Sequence, residues 1–450
     1  MTTSSLLISY AGYPFTPSSL MPDNGLANLA GALIADGHRT RILDYGTVGM
    51  VEELYPPPLS RKARRIYGRL LSPKGGRPKI KDFIGLKLLD HRLEKHRRRA
   101  REKLTEKLFD MIEDVDPDFI GFKLWNGDGF RETVTIAESI KKKYPGVKLI
   151  GGGPQVDIYR EHIFSFTGVF DALVYGEGEM SLPLFARYCR GEEELAEIPN
   201  LIYRENGRIR ETPVSWIDDL DALPYPVYSP DIYPAMIGLQ KIKIIVLDES
   251  RGCPNRCSFC IQPVKSGGKL RLKSPQRVVD EMEKIVSETG ITAFRYAGSS
   301  TPIKHAVRIS ERILEKNLKI SWSSFGHVRR SDADDFNVLK KAGCHSVFFG
   351  IESGSPTVLR KGFEKRLEPE LIRQTLTACR RAGIFTVGSV IFPGPFETEE
   401  TEEETLRFLL ETRPDSVPLQ FPGIYPRTPW RENPEKYNLE ITSDNYELEA

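Results

Sequence analysis

The chain has 450 residues, 64 Lys and Arg against 62 Asp and Glu, a formal charge of +2 and 40% hydrophobic residues. That length is a prior for two domains with globular cores, and the balanced charge excludes a whole-chain electrostatic binder of nucleic acid. No apolar run approaches the ~20 residues of a membrane span, and Met1–Ser5 lacks the basic segment of a secretory signal.

Leu6-Leu7-Ile8-Ser9 reads as a short buried strand, followed by a loop carrying Gly12, Pro14, Pro17 and Pro22. Helical apolar spacing (Leu26, Leu29, Ala30, Leu33, Ile34) predicts a helix over 24–35, ended by Gly37. With a second strand at 39–44 this is a parallel β-α-β unit. From about 60 to 107 runs an insertion dense in Lys and Arg (Arg61, Lys62, Arg64, Arg65, Arg97, Arg98), with Tyr67, Phe83 and Leu88 interleaved. It reads either as a solvated helical excursion or as a basic amphipathic helix suited to an anionic membrane or to phosphates. Strands follow at 118–122, 147–150 and 172–175, with a helix over 131–144. The last two strands end in Gly151-Gly152-Gly153-Pro154 and Gly176-Glu177-Gly178-Glu179. This alternation predicts a doubly wound α/β fold, whose ligands bind beyond the carboxyl ends of the strands, where glycines let the backbone come close. The first turn has no Gly-x-Gly-x-x-Gly, which argues against a dinucleotide site.

Residues 191–238 read as a connection. Asn200–Arg204 and Arg208–Arg210 flank Asn206-Gly207, a hairpin signal, and Pro224, Pro226 and Pro230 stiffen the remainder of the connection. Lys243–Leu247 is then a buried strand running toward Arg251-Gly252-Cys253-Pro254-Asn255-Arg256-Cys257-Ser258-Phe259-Cys260. Beyond it, strands at 293–296, 320–324, 346–354, 385–392 and 416–421 alternate with helices at 275–289, 306–316, 332–342, 370–382 and 401–412. Six β-α repeats fall short of the eight that close a barrel, so an open partial barrel is expected.

Three cysteines at C-x3-C-x2-C spacing do not suit a disulfide, which uses two. Nor do they suit structural zinc, which takes four ligands, usually in two pairs. They suit an iron–sulfur cluster with one iron left open for a substrate or cofactor; the alternative is three buried thiols or a three-Cys zinc site with a distant His. Cys189, Cys344 and Cys379 fall on or beside helices and read as small buried apolar residues. A cluster needs reducing conditions, so the cytoplasm is the expected compartment.

The cysteine motif, with Phe259 before its last Cys, resembles that of the radical S-adenosylmethionine (SAM) enzymes, and residues 240–430 resemble their partial barrel. Over most of residues 5–190 the chain resembles the cobalamin-binding domain that precedes this barrel in one large subfamily. The matching features are Pro22-x3-Leu26, Gly37-His38, Asp44, Gly152-Gly153-Pro154 and Gly176-Glu177-Gly178-Glu179. The resemblance implies a [4Fe-4S] cluster on Cys253, Cys257 and Cys260. It implies SAM contacts at Phe259, Val390 and Ile391 (adenine), Gly298 and Ser299 (amino group), Arg329 (carboxylate), and Glu352 and Ser353 (ribose or amino acid moiety). Cobalamin contacts are implied at Pro22, Leu26, Trp125, Asn126, Gly152, Gly153, Pro154, Gly176, Glu177 and Gly178. The Gly298-Ser299 turn lacks the family's usual acidic residue. Asp36-Gly37-His38 departs from the Asp-x-His-x-x-Gly of domains that ligate cobalt through His. His38 is therefore expected to be a surface or turn residue, and cobalamin to bind His-off.

The expected organisation is a Rossmann-like cobalamin-binding fold over 1–190 with a basic insertion at about 50–110, a linker over 191–238, a partial (β/α)6 radical SAM barrel over 239–430 and a short tail over 431–450. This order implies cobalamin-dependent methylation of an unactivated carbon. One SAM methylates cob(I)alamin; a second is cleaved to a 5'-deoxyadenosyl radical that removes a hydrogen, and methylcobalamin returns the methyl. The alternatives are radical cyclisation, carbon–carbon coupling or other rearrangement without methyl transfer, and an assembly protein whose cluster does no chemistry. Expected partners are a small-molecule or lipid substrate and an electron donor such as flavodoxin or ferredoxin. The basic insertion adds peripheral membrane contact; nucleic acid is not expected.

Overall fold

A computed structural model describes residues 3–10, 17–70, 80–328 and 333–442. The first unit begins with β1 (Ser4–Ser9), α1 (Asn24–Ala35), β2 (Arg39–Asp44), α2 (Val48–Leu54), α3 (Pro57–Leu70) and α4 (Ile80–Val115). It continues with β3 (Phe119–Lys123), α5 (Asp128–Lys143), β4 (Lys148–Gly152), α6 (Pro154–Tyr159), α7 (Ile163–Phe166), β5 (Ala172–Val174), α8 (Gly178–Cys189), β6 (Leu201–Glu205) and β7 (Arg208–Glu211). Among the described residues these strands form one seven-stranded sheet in the order β2-β1-β3-β4-β5-β6-β7.

β1 to β5 run parallel. Helices cover both faces, which is why β1 is buried along its whole length and reads as an unbroken apolar run. The order reverses between β1 and β3, the point where doubly wound sheets receive ligands. The β6–β7 hairpin, read from the sequence as part of the connection, is the antiparallel edge of this sheet. Leu201, Ile202 and Tyr203 are buried there against β5, so the free edge of β5 is covered. The basic insertion is a helical hairpin; α4 alone is 36 residues long, and its C-terminal half buries Leu104, Leu108 and Ile112 in the core beneath the sheet.

The second unit comprises β8 (Ile245–Leu247), β9 (Ser250–Arg251), α9 (Gln262–Ser266), β10 (Arg271–Leu272), α10 (Pro275–Thr289), β11 (Ala293–Tyr296), α11 (Ile303–Glu315), β12 (Ser321–Gly326) and α12 (Ala333–Lys341). β13 (Cys344–Glu352), α13 (Pro369–Arg381), β14 (Phe385–Ile391), α14 (Glu399–Thr412), β15 (Leu419–Gln420) and α15 (Pro429–Glu432) come next. Among the described residues six strands lie in the order β8-β11-β12-β13-β14-β15, every neighbouring pair parallel, so the barrel stays open. Local signals set the helix ends. The Ser274 hydroxyl accepts from the Arg277 amide at the start of α10, and Gly290 ends that helix at φ +69°.

The two units share a core. It runs from the face of the first sheet carrying α1 and α8, past Tyr228 and Tyr233 of the connection, into the barrel. Gly31 on α1 lets the connection pass: a Cβ there would lie 2.3 Å from the Tyr225 carbonyl oxygen. Tyr233 Oη accepts from the Asp23 amide (2.6 Å) and donates to Asp44, which also pairs with Lys241 at 2.6 Å. His38 sits in the turn after α1, as expected, but it is buried rather than at the surface, with Nε2 3.0 Å from Asp36. It lies at the end of the sheet opposite the carboxyl ends of the strands.

Candidate functional site

A cavity of about 390 Å³ opens over the carboxyl ends of β1, β3, β4 and β5, where the first unit faces the barrel. Glycines form much of its floor. A Cβ at Gly121 would meet Leu7 at 2.9 Å, and one at Gly151 would meet Leu124 and Leu173 at 2.9 Å. Gly153 (φ +101°) and Gly176 (φ +72°) adopt backbone conformations that L side chains rarely take. Of the residues expected at a cobalamin, Leu26, Gly152, Gly153, Pro154, Gly176, Glu177 and Gly178 line this cavity. Pro22, Trp125 and Asn126 do not; Trp125 lies beneath Lys123 (4.3 Å to the ring) and donates to Ser9. A side-chain-free floor at the switch point fits the edge of a large planar cofactor.

The far wall of the cavity belongs to the barrel. Arg251 pairs with Glu179 (2.5 Å), Asp248 (2.9 Å) and Glu177 (3.5 Å), all largely buried. Glu177 also takes Arg271 at 2.8 Å and the Ile217 amide. The Gly-Glu-Gly-Glu carboxylates thus clamp the strand end that leads into the cysteine loop. Asn24 and Asn28 of α1 donate to Asp248. Burial works to raise the Asp248 carboxyl, but Arg251, Lys273 and the Asn28 amide outweigh it and hold it below the usual range.

The cysteine loop follows directly and is fastened at several points. The Ser258 amide donates to Phe363 O (3.0 Å), its hydroxyl donates to Gly362 O (2.8 Å), and the Trp430 amide donates to Ser258 O. Phe259, expected against an adenine, packs on Phe363 and Trp430, with ring centroids 5.4 and 5.7 Å away. Burial pushes the Cys257 thiol up to about 11, with Lys365 pulling down and Cys260 pushing up; burial also raises Cys260. Among the described residues no three His, Cys, Asp or Glu side chains converge on one point as ligands of a single ion would. Three free thiols that feel one another's charge, none in a disulfide, are a donor set suited to a cluster that spreads its irons, and the residues fit that group.

The remaining expected SAM contacts fall at the barrel mouth, apart from Arg329, which lies outside the described residues. Gly298 and Ser299 lie in the turn that follows β11. The turn is held from 49 residues upstream: the Glu249 carboxylate accepts from the Gly298 amide (3.0 Å) and the Thr301 hydroxyl (2.6 Å). Glu249 is fully buried, and burial raises its pKa despite those hydrogen bonds. Glu352 ends β13 at φ +67° and pairs with the buried Lys365 at 2.7 Å. Lys365 also donates to Gly350 O. Burial works against the Lys365 charge, yet Glu352 and the Cys257 thiol outweigh it and raise its pKa. The Ser353 hydroxyl bonds Thr405 at 3.0 Å and accepts from the Ser355 amide, which shapes the turn after β13. Val390 and Ile391 are buried at the end of β14. Sequence reasoning missed Glu249, Arg251, Glu179 and Lys365; only Glu179, within the Gly-Glu-Gly-Glu motif, had a local signal.

Residues 250–409 match the family model of the Radical SAM superfamily, and residues 86–186 that of the B12 binding domain. An uncharacterized methyltransferase of Pyrococcus horikoshii is 30% identical over 74% of this chain and 72% of its own length. An anaerobic magnesium-protoporphyrin IX monomethyl ester cyclase of Cereibacter sphaeroides is 25% identical over 73% of this chain, which spans 54% of that protein. Hopanoid C-3 methylase of Methylococcus capsulatus is 24% identical over 81% of this chain and 70% of its own length. Among solved structures, the radical S-adenosylmethionine methyltransferase TsrM from Kitasatospora setae, with cobalamin and [4Fe-4S] cluster bound, superposes with a TM-score of 0.70 at 18% identity. That match covers 95% of this chain and 77% of TsrM.

Proposed function

This chain belongs to the B12-binding radical SAM enzymes, and from that membership we propose that it methylates an unactivated carbon of a small-molecule substrate. The observation that carries the reading is the abutment of two sites. The glycine-floored cavity is closed on its far side by Ser250, Arg251 and Gly252, and Cys253 is the next residue. When bound, the cluster and SAM supply a carbon-centred radical and cobalamin supplies the methyl group. Cys253, Cys257 and Cys260 would hold the cluster, and the glycine-rich strand ends of the first unit would hold cobalamin.

The chain's own residues position these groups. The Arg251 clamp on Glu177, Glu179 and Asp248 keeps the cysteine loop against the first unit. Glu249 fixes the 298–301 turn through a backbone amide and a hydroxyl. Lys365 holds the Glu352 carboxylate at the mouth and places a positive charge beside thiols that must ionise to bind iron.

The proposed compartment is the cytoplasm, with a reducing protein such as flavodoxin or ferredoxin as electron donor; no helix of the described residues is long and apolar enough to cross a membrane. The α3–α4 hairpin exposes Tyr67, Phe83, Ile84 and Leu88 beside exposed Arg61, Lys62, Arg64 and Arg65. That combination supports a peripheral contact with anionic lipid, for which flotation with anionic vesicles at low salt is the check. Anaerobic reconstitution with iron, sulfide and hydroxocobalamin tests the main reading. Corrin bands beside the cluster absorption, with 5'-deoxyadenosine released from SAM, are expected. Protein that retains no corrin and releases no deoxyadenosine refutes it.

A further inference from the structure

A second cavity, of about 710 Å³, opens beside Cys257 and shares no lining residue with the first. Arg256, Arg360 and Arg366 stand around it, with Lys365 and His327. The charges here are arranged unlike those of the first cavity. There, each basic side chain has a carboxylate: Arg251 on Glu177, Glu179 and Asp248, Arg271 on Glu177, Lys123 on Asp23 and Lys265 on Asp157. Here Lys365 is engaged by Glu352. The one acidic residue of the lining, Glu364, is taken by Lys436 (2.5 Å) and Tyr437 (3.0 Å) from the C-terminal turn. Arg256, Arg360 and Arg366 are exposed and, among the described residues, have no acidic partner.

Three unneutralised guanidiniums on one concave surface repel one another and raise the local concentration of anions. Each guanidinium is a planar fork matched to two oxygens of a carboxylate or phosphate. We propose that this cavity binds an anionic group, a carboxylate or phosphate, of the substrate and so orients the substrate beside the cluster loop. The inference rests on the enzyme reading above and narrows its substrate to an anion. The same chemistry could come from the methionyl carboxylate of SAM, so the test separates the two sources. A concave cavity rather than a flat patch favours a small anion over an acidic electron-donor protein.

The test uses the reconstituted, cluster-loaded chain and the variant Arg360→Gln/Arg366→Gln, both positions being exposed. Binding of inorganic pyrophosphate and of SAM is measured by equilibrium dialysis. The expected result is pyrophosphate affinity at least ten-fold weaker in the variant, with SAM affinity changed by less than two-fold. Equal pyrophosphate affinity in the two proteins overturns the proposal. A parallel loss of SAM affinity assigns the arginines to the SAM carboxylate and overturns it too. So does a variant whose only defect is slower reduction by flavodoxin. Deoxyadenosine release by the unmodified chain reports separately on the enzyme reading, so failure of one is distinguishable from failure of the other.

Discussion

The pair between Glu352 and Lys365 is the most exposed to disproof. Both side chains are 9% accessible, the Nζ–Oε1 distance is 2.7 Å, and among the described residues Lys365 supplies the only ion pair to Glu352. Glu352 also sits at φ +67°, a left-handed backbone that costs a non-glycine residue about 1–2 kcal/mol, so its surroundings must hold it there. Lys365→Met keeps most of the volume and leaves a buried carboxylate without compensation; breaking such a pair costs about 3–5 kcal/mol. Glu352→Gln strands the lysine in the same way. The double variant leaves no uncompensated charge and is expected to cost about 1–2 kcal/mol, so against two single losses of about 3–5 kcal/mol each the coupling between the sites should be at least about 4 kcal/mol. The assay is urea unfolding of the apo chain, followed by near-ultraviolet circular dichroism of the barrel tryptophans Trp322 and Trp430, both fully buried. A barrel probe is needed because a chain with two units need not unfold in one step. If the double variant loses the sum of the two single losses, within about 0.5 kcal/mol, the pair does not act as a unit and the positioning argument for Lys365 fails.

Cys257→Ser is expected to lower the iron bound after reconstitution from about four per chain and to abolish the cluster absorption, with the far-ultraviolet spectrum intact; full iron loading in the variant would remove Cys257 from the ligand set. Gly152→Val puts a branched side chain on the cavity floor beside Val174; it should abolish corrin retention while iron loading persists, and retained corrin would move the cobalamin site elsewhere. Burial, with the nearby charge of Arg308, lowers the His305 imidazole from 6.5 to about 4, so the unfolded chain binds more protons between those values. The resulting stability is fully present above pH 6.5 and is lost as pH falls toward 4, by up to about 3 kcal/mol. His305→Met should flatten that limb of an unfolding-against-pH profile; an unchanged limb would show that His305 does not cause it.

What the sequence made legible was local. The parallel strands are visible because residues such as Leu6, Leu7 and Ile8 are buried on both faces and leave no alternation. Ser274 and Gly290 bracket α10 with chemistry that acts over three or four residues. The cysteine loop is legible because its three thiols lie within eight residues of chain. The hairpin at 201–211 was visible as a hairpin, but not as the edge of the first sheet, because pairing with β5 is a matter of which edge lies open in space. Phe259 was assigned by motif position. Its neighbours Phe363 and Trp430 are 104 and 171 residues further on, and no periodicity announces them. The carboxylate that braces the Gly298 turn, Glu249, lies 49 residues earlier, just beyond the neighbouring strand β8, and no local pattern announces it.

Arg251 argues that the two units work as one. A guanidinium this deeply buried is tolerated only with its charge compensated, and two of its three carboxylates, Glu177 and Glu179, come from the other unit. Their positions are set by Gly176 and Gly178, one at positive φ and the other packed under Leu29 of α1. The same strand end therefore shapes the cavity floor and grips the residue two before Cys253. Pulling the units apart would expose the cavity and at the same time strand buried charges beside the cysteine loop, so Arg251, with the shared core and the Arg271–Glu177 and Lys265–Asp157 pairs, holds the two candidate cofactor sites in one geometry. That coupling gives a physical reason for the Gly-Glu-Gly-Glu order: the glycines keep the cavity open, and the carboxylates beside them, in the same lining, pair with Arg251 and Arg271 to lock the barrel in place.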